Sequence, residues 1–292
     1  MAPRYWVSGS DSNWNNTSNW SLTSGGAGGQ TVPIYDSTVF FDSNGVGSCT
    51  IDTTVSVLGL NAFAGYTGVI RQNSYDMTVG GLGFYLNDGS FGGQSANVRI
   101  DGTSFIGGCR FTSTDRTLSL GGILTFTPSG SGYFHANGGV ISLDASGAGI
   151  VASDMTLSTL QCNAVSNVTG KIIVDNLVLN SGALGKLGDS TIHLYKDLYS
   201  NSGYNSWSPL NNATLLLDGS HGQNIYNQSG SVIPMLFVDK RTTEQVMCQG
   251  TGPLSIRGDF LILDGTFNSG GLDIEVGLLN FTQGAELIVF EP

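Results

Sequence analysis

Residues 5–41 read YWVSGSDSNWNNTSNWSLTSGGAGGQTVPIYDSTVFF, and this stretch decides how the rest of the chain is interpreted. Trp6, Trp14 and Trp20 stand among Gly, Ser, Asp and Asn, a spacing that is not helical. Tryptophan buries a large apolar surface and still needs a partner for its N–H, so three of them in a turn-rich segment predict a compact cap. Stacked repeats need a cap, because an uncovered terminal repeat exposes apolar surface and unpaired backbone groups.

The chain after the cap repeats short strand patterns that end in Gly, Asn or Asp. One motif begins with an apolar–x–apolar triplet, which is followed by a tight corner. A further apolar residue after the corner opens an alternating strand. It occurs as MTVGGL at 77–82, LSLGGI at 118–123, IHLYKDL at 192–198 and LSIRGDF at 254–260. A longer unit of strand, Asp, small-residue turn and returning Ile pairs residues 139–150 with residues 213–225.

Imperfect repetition of one supersecondary unit is typical of a solenoid, in which each coil buries its apolar row against its neighbours. We therefore predict an all-β chain: a single-stranded β-solenoid (parallel β-helix) with an N-terminal Trp-rich cap. The predicted domains are the cap, residues 1–42, and the β-solenoid body, residues 43–292. An antiparallel β-sandwich is the alternative, since it also shows short strands at close spacing.

The opening stretch also carries a family resemblance. Its residues follow the order YWVxG at 5–9, NW at 13–14, NWS at 19–21, GGxGG at 25–29, VP at 32–33 and VFFD at 39–42. This order resembles the entry segment of β-solenoid surface proteins with a Trp-rich N-terminal cap, as in bacteriophage virion proteins and autotransporter-like passenger domains. The rest of the chain resembles these proteins only in its loose repeat pattern. The resemblance implies a solenoid displayed on a particle or cell surface.

Composition narrows the classes of function. With 43 glycines and 11% charged residues, the chain is unlike a compact α/β enzyme and suits short strands joined by tight turns. Its net charge is −11 and its sequence pI is about 4.4. The 11 basic residues are scattered, which argues against a nucleic-acid partner.

The N-terminus bears on localisation. The chain begins Met1-Ala2-Pro3-Arg4 and enters the tryptophan stretch at once, without the basic and apolar regions of a secretory signal. No apolar run approaches the roughly 18 residues of a membrane-spanning helix. We expect synthesis in the host cytoplasm, no membrane insertion and a final location on the virion surface. An autotransporter passenger would need an export signal.

The four cysteines, Cys49, Cys109, Cys162 and Cys248, lie far apart and form no C-x-x-C pair. A zinc site is therefore not indicated. In a protein assembled in the cytosol we expect buried free thiols, while disulfides stay open as an alternative.

The sequence shows no constellation of residues for catalysis. Cleavage of a glycosidic bond normally needs two carboxylates that face each other across a cleft. Here the acids at strand ends stand singly, and we interpret them as turn caps. They are Asp144, Asp154, Asp175, Asp218 and Asp239. The histidines, His135, His193 and His221, are isolated, so we predict no enzyme, no catalytic residue, no cofactor-binding residue and no metal site.

A second aromatic cluster follows Ile192, where Tyr and Trp alternate with Asn and Ser. That mixture is used for stacking on sugar rings or for a protein interface. The alternative without a binding role is a long coil insertion that packs on the flank of the solenoid. The candidate interface residues are Tyr195, Tyr199, Tyr204 and Trp207 from this cluster, with Trp6, Trp14 and Trp20 from the cap.

Together these observations favour a non-enzymatic bacteriophage virion protein, displayed on the particle as a capsid decoration protein or head fibre. The expected partners are the major capsid protein or other virion proteins, and two further copies of the chain in a homotrimer. One alternative is a tail fibre or spike adhesin that binds host surface glycans. Others are a polysaccharide depolymerase and a cellular adhesin.

Overall fold

The computed structural model describes residues 2–63, 65–127, 133–180, 184–186, 190–201, 214–228, 232–233, 235–240, 244–281 and 286–288. The chain divides into two compact units, Met1–Ser142 and Leu143–Pro292. The predicted boundary between a cap and a body at residue 42 is a different division, and it stays a prediction.

In its described residues the first unit contains strands and one 3-10 turn, Thr17–Asn19. Its strands are β1 (Ala2–Trp6), β2 (Ser12–Asn13), β3 (Trp20–Ser21), β4 (Ser37–Phe41), β5 (Cys49–Thr50), β6 (Val55–Ala62), β7 (Val69–Arg71), β8 (Met77–Leu86), β9 (Ser90–Gly92), β10 (Val98–Ile100), β11 (Ser104–Ile106), β12 (Arg110–Thr112), β13 (Thr117–Leu120), β14 (Ile123–Phe126) and β15 (Tyr133–His135). The division between the units falls within β16 (Val140–Leu143).

The second unit is built from strands alone in its described parts. They are β17 (Gly149–Cys162), β18 (Ser166–Leu179), β19 (Leu184–Lys186), β20 (Thr191–Leu194), β21 (Leu198–Ser200), β22 (Thr214–Leu217), β23 (Gln223–Asn227), β24 (Val232–Ile233), β25 (Met235–Asp239), β26 (Gln245–Gly250), β27 (Leu254–Asp264), β28 (Thr266–Asn268), β29 (Ile274–Phe281) and β30 (Glu286–Ile288).

In the first unit the strands form two parallel stacks. One stack runs through β1, β4, β6 and β8, and then continues into β10 and β13 on one side of a corner and into β11 and β14 on the other. The other runs through β2, β5, β7, β9, β12 and β15. Partners in register lie one coil apart: Phe40, Asn61, Tyr85 and Phe105 follow at intervals of 21, 24 and 20 residues.

The second unit repeats this arrangement. Strand β18 pairs in parallel with β17 and continues through β20, β22, β25, β27 and β29. The C-terminal part of β18 begins a second stack, which continues through β21, β23, β26, β28 and β30. Each unit is therefore a β-solenoid of parallel coils.

Alternation along each strand separates core from surface, because successive side chains point to opposite faces. In β4, Val39 and Phe41 are buried while Phe40 is partly exposed. In the other stack of the first unit, Phe91 and Phe111 point inward from adjacent coils and their rings stack 5.0 Å apart. Inward columns of this kind hold the coils together, since burying one such side chain stabilises by roughly 1.5–3 kcal/mol.

These findings confirm the predicted β-solenoid and its aromatic N-terminal cluster. The antiparallel sandwich is wrong, since the described strand pairs are parallel except for β1 with β3. The two corner motifs of the second unit lie at different corners of the coil, because Ile192 is in register, through β22 and β25, with Phe260. Two corner motifs coincide with irregular strand pairing: the pairing of β6 with β8 is irregular after Val57, and that of β27 with β29 is irregular between Ile256 and Asp259. At the first of these corners Gly83 has a φ of 79°, which suits glycine.

The four cysteines are buried free thiols, as expected. Burial raises their pKa, to about 11 for Cys109 and to about 12 for both Cys162 and Cys248. Within the described ranges, no helix has the length and apolar character that a bilayer crossing needs.

Candidate binding surfaces

The cap is organised by its three tryptophans, which pack edge to face. The ring centroids of Trp6 and Trp20 lie 5.2 Å apart, and those of Trp14 and Trp20 lie 4.8 Å apart. Each of two indole N–H groups has a carbonyl partner: Trp6 Nε1 donates to Gly47 at 2.9 Å and Trp20 Nε1 donates to Trp14 at 2.7 Å. Burial together with a satisfied N–H is the arrangement that makes tryptophan suitable for closing a stack.

The indole rings of Trp6, Trp14 and Trp20 are at most 1% exposed, so in this chain they pack the cap. Their predicted place at an interface with a partner stays a prediction. The large apolar side chains that the cap does expose are Leu22, Ile34 and Tyr35, with Tyr35 73% exposed.

A column of partly exposed side chains crosses the outer face of the first unit. In strand order from β1 to β14 it contains Tyr5, Phe40, Asn61, Tyr85, Phe105 and Thr125, which are partners in register. The rings of Tyr5 and Phe40 stack with centroids 4.9 Å apart. We call this set the outer aromatic column. Parallel stacking produces it, because residues in register on adjacent coils point the same way.

The sequence alone did not reveal the outer aromatic column. Its members lie in separate motifs, and their alignment depends on coils of unequal length. Alternation does place Phe40 and Phe105 on an outer face, since each stands between buried neighbours. Which of these residues align in one column can be known only from the pairing of the strands.

The second aromatic cluster is described in part. Tyr204 and Trp207 lie outside the described residues. Tyr199 lies on the outer face of β21, with its ring stacked on that of Tyr226 from the next coil at a centroid distance of 4.8 Å and an interplanar angle of 11°. Tyr195 follows β20 and is 40% exposed. The predicted interface role of these side chains stays a prediction.

Polar groups surround the stacked tyrosine pair. The Asp197 carboxylate accepts hydrogen bonds from Asn224, with N–O distances of 2.8 Å from the backbone nitrogen and 3.1 Å from Nδ2. Burial, together with the charge of Asp197, raises the pKa of Tyr199. Gln249 continues the column after Tyr226 and donates to Asn224 Oδ1 at 2.9 Å. Stacked tyrosines bordered by amides and a carboxylate combine apolar surface with hydrogen-bonding groups, a mixture that suits contact with a sugar.

Tyr226 was absent from the predicted cluster, although the repeat contains a signal for it. Leu198-Tyr199 and Ile225-Tyr226 are both pairs of a buried aliphatic residue and an outward tyrosine, and they are partners in register. Aligning the two coils on their buried residues would have placed both tyrosines in one column.

His193 is not isolated as predicted, because its Nδ1 lies 2.7 Å from Asp218 Oδ2 on the adjacent coil. The two side chains are each 19% exposed. Asp218 therefore bonds a side chain on the neighbouring coil, and Asp175 likewise pairs with Lys196 at 2.8 Å. A carboxylate that orients an imidazole is half of an acid–base site, and within the described residues we find no hydroxyl or thiol hydrogen-bonded to this ring. The absence of enzymatic activity stays a prediction.

Lys240 lies beside this pair and is 1% exposed. Its Nζ donates to the carbonyls of Gly219 at 2.7 Å and His221 at 2.6 Å, which closes the turn after β22. Burial lowers the pKa of Lys240 to about 8, against the opposing charges of Glu244, Asp218 and Asp197. In the described part of the chain no three His, Cys, Asp or Glu side chains come together as metal ligands.

Comparison with protein-family models, with curated proteins and with solved structures gives no match to this chain.

Proposed function

We propose that this chain is a non-enzymatic structural protein of a bacteriophage particle, carried on the capsid as a decoration protein or head fibre. The resemblance of residues 5–42 to phage virion proteins supports a location on a phage particle. The outer aromatic column supports docking of the chain on that particle. The proposed partners are the major capsid protein or other virion proteins, with this chain as a homotrimer on the virion surface.

The observation that carries the proposal is the outer aromatic column. Four of its six members are Tyr or Phe, all partly exposed and in register. At a strand spacing of about 4.8 Å, six strands carry it over roughly 24 Å. Aromatic side chains are enriched at the centre of protein interfaces, where they lose water on contact. If the docking surface exists only on the assembled capsid shell, binding of this chain favours the assembled state and so stabilises the shell.

The experiment that tests the location is quantitative mass spectrometry of purified particles of the phage that encodes the chain. A copy number that scales with that of the major capsid protein supports a decoration protein. A few copies in multiples of three would place the chain on the tail or a vertex instead. Absence from the particle would contradict the proposal.

Docking through the column has its own test, in which purified protein is added back to particles that lack it. Phe105→Glu puts a charge within the proposed contact and should abolish binding to the particle. Thr78→Glu is the matched control, because Thr78 lies in a polar outer column of the same unit with Ser56, Arg99 and Ser119. Equal binding of both variants would remove the column from the docking surface.

A second candidate function is a tail fibre or spike adhesin that binds host glycans. The stacked pair Tyr199 and Tyr226 favours it, since tyrosine rings on an outer face offer both apolar surface and hydroxyl groups to a sugar. A glycan array should then show binding that Tyr226→Ala removes. Tyr75→Ala is the control, because Tyr75 is an exposed tyrosine of the first unit. An array without bound glycans would count against this function.

A further inference from the structure

Two columns of outward side chains run side by side over the second stack of the first unit. One contains Val69, Ser90, Arg110 and Tyr133, and the other contains Arg71, Gly92, Thr112 and His135. Ser90 and Gly92 are small, so β9 forms the floor of a notch between an arginine from β7 and an arginine from β12. We call it the arginine notch; its volume is about 260 Å³.

Gly92 makes the notch, and packing does not explain why it is glycine. Its φ is outside the left-handed region, and a Cβ added to it would meet one atom, Val69 Cγ1, at an ordinary 3.7 Å. The adjacent Gly93 differs, because a Cβ there would clash with the backbone of Ser113. Glycine inside a strand weakens it and often marks a place where a ligand or another backbone approaches closely. Gly92 therefore leaves open a space that the fold could have filled.

Each arginine of the notch is held in place by a neighbour. Arg71 Nη1 lies 3.2 Å from Asp11 Oδ2, and the other oxygen of that carboxylate accepts from the Ser48 backbone N–H at 3.0 Å. The Arg110 guanidinium carbon lies 5.0 Å from the centre of the Tyr133 ring. A guanidinium has five N–H donors, and stacking on a ring leaves its in-plane donors directed outward. Such donors match the two oxygens of a carboxylate.

We propose that the arginine notch binds the carboxylate of an acidic sugar residue in a polysaccharide. Arg71 and Arg110 would hold the carboxylate, while the hydroxyls of Ser90 and Thr112 and the amide of Gln94, which also line the notch, would bond ring hydroxyls. Pockets for drug-sized ligands measure about 300–1,000 Å³, so this smaller notch suits a single sugar residue. The chain's net charge of −11 repels anions at long range, so binding depends on these direct contacts.

The proposal assigns a site to the first unit and rests on neither candidate function above. Isothermal titration calorimetry tests it, with trigalacturonate as the acidic probe, maltotriose as the neutral probe and sodium acetate as the isolated carboxylate. We expect the chain to bind trigalacturonate and to show no measurable binding of maltotriose. Acetate should bind at least tenfold more weakly than the trisaccharide, because it lacks the hydroxyl contacts.

Two variants locate the binding in the notch. Arg110→Gln removes a charged donor and Gly92→Val fills the floor, and each should weaken trigalacturonate binding at least tenfold. Arg99→Gln is the matched control, because Arg99 is an exposed arginine of the same unit paired with Asp101 at 2.7 Å. Circular dichroism should show all three variants folded.

Four results would overturn the proposal: no binding of trigalacturonate, equal binding of maltotriose, acetate binding as tight as that of the trisaccharide, or unchanged affinity in both notch variants. A failure here leaves the copy number on the particle untouched, so it is distinguishable from a failure of the proposed function.

Discussion

Gly28 and Gly9 lie in the same cap, but their surroundings differ. A Cβ on Gly28 would overlap the carbonyl of Ser18, whereas a Cβ on Gly9 would meet no atom within 4 Å. The close approach at Gly28 adjoins the hydrogen bond from the Gly29 nitrogen to Thr17 at 3.0 Å, which ties the glycine-rich loop to the 3-10 turn. One glycine is therefore required by packing and the other is not.

We expect Gly28→Ala to lower the free energy of unfolding of the first unit by about 2 kcal/mol, because the backbone must shift to admit a methyl group. Gly9→Ala should change it by less than about 0.5 kcal/mol. Urea denaturation followed by tryptophan fluorescence measures both, since three of the four tryptophans lie in the cap. Equal stability of the two variants would show that the loop can relax around Gly28.

Residue patterns predicted the aromatic N-terminal cluster and the buried thiols well, because both depend on local chemistry. Three tryptophans in fifteen residues must find a core, and cysteines without a C-x-x-C pair default to buried thiols. Long-range partners could not be predicted in the same way. The hydrogen bond between His193 and Asp218 joins residues one coil apart, and it depends on how many residues the intervening coil contains.

At the scale of elements, the strand ends of the second unit form a ladder of polar side chains. Asp144, Asn163, Asn180 and Asn201 each directly follow a strand. Asn163 donates to Asp144 at 2.8 Å, Asn180 to Asn163 at 2.9 Å, and Asn201 to Asn180 at 2.9 Å. The sequence shows an Asn or Asp after each of these four strands, and we interpreted the acids as turn caps. Parallel stacking turns them into a ladder that links successive coils.

Asn180 stands within this ladder and takes part in two of its side-chain hydrogen bonds, one as donor and one as acceptor. We expect Asn180→Ala to lower the free energy of unfolding of the second unit by about 1 kcal/mol, since exposed neutral bonds contribute modestly. Thr156→Ala is the control, because Thr156 is an exposed strand residue of the same unit. Urea denaturation followed by circular dichroism compares them. A variant at Asn180 as stable as the control would mean that the ladder contributes no stability.

Across the whole chain, the proposed binding surfaces consist of residues from successive coils. The arginine notch takes Arg71, Gly92 and Arg110 from three coils, and the tyrosine pair takes Tyr199 and Tyr226 from two. The sequence predicted the solenoid because apolar alternation and corner motifs recur, imperfectly, along the chain. The columns of outward side chains were not predictable in detail. The coils differ in length by several residues, and each difference changes which residues on adjacent coils are partners in register.

The ionisable groups buried across the chain predict opposite effects of alkaline pH on stability. Each buried thiol has a folded pKa above its ordinary value of 9.0, reaching about 12 at Cys162 and Cys248. Above pH 9 the unfolded chain therefore loses these protons first, and stability falls as pH rises. Lys240 acts in the other direction, because its pKa is lowered from 10.5 to about 8 and the unfolded chain holds that proton longer. Its contribution makes stability rise between about pH 8 and pH 10.5.

Four thiols outweigh one lysine, so we expect the melting temperature to change little from pH 8 to 9 and to fall steeply from pH 9 to 11. At about 1.4 kcal/mol per pKa unit, the loss by pH 11 is on the order of 2 kcal/mol for each fully buried thiol. Differential scanning calorimetry in a reducing buffer measures it. The double variant Cys162→Ala and Cys248→Ala should flatten the fall, while Lys240→Met should remove the opposing rise and steepen it. A fall of the same slope in the double variant would show that Cys162 and Cys248 are not its cause, and would point to another group, such as Tyr66, whose pKa burial also raises.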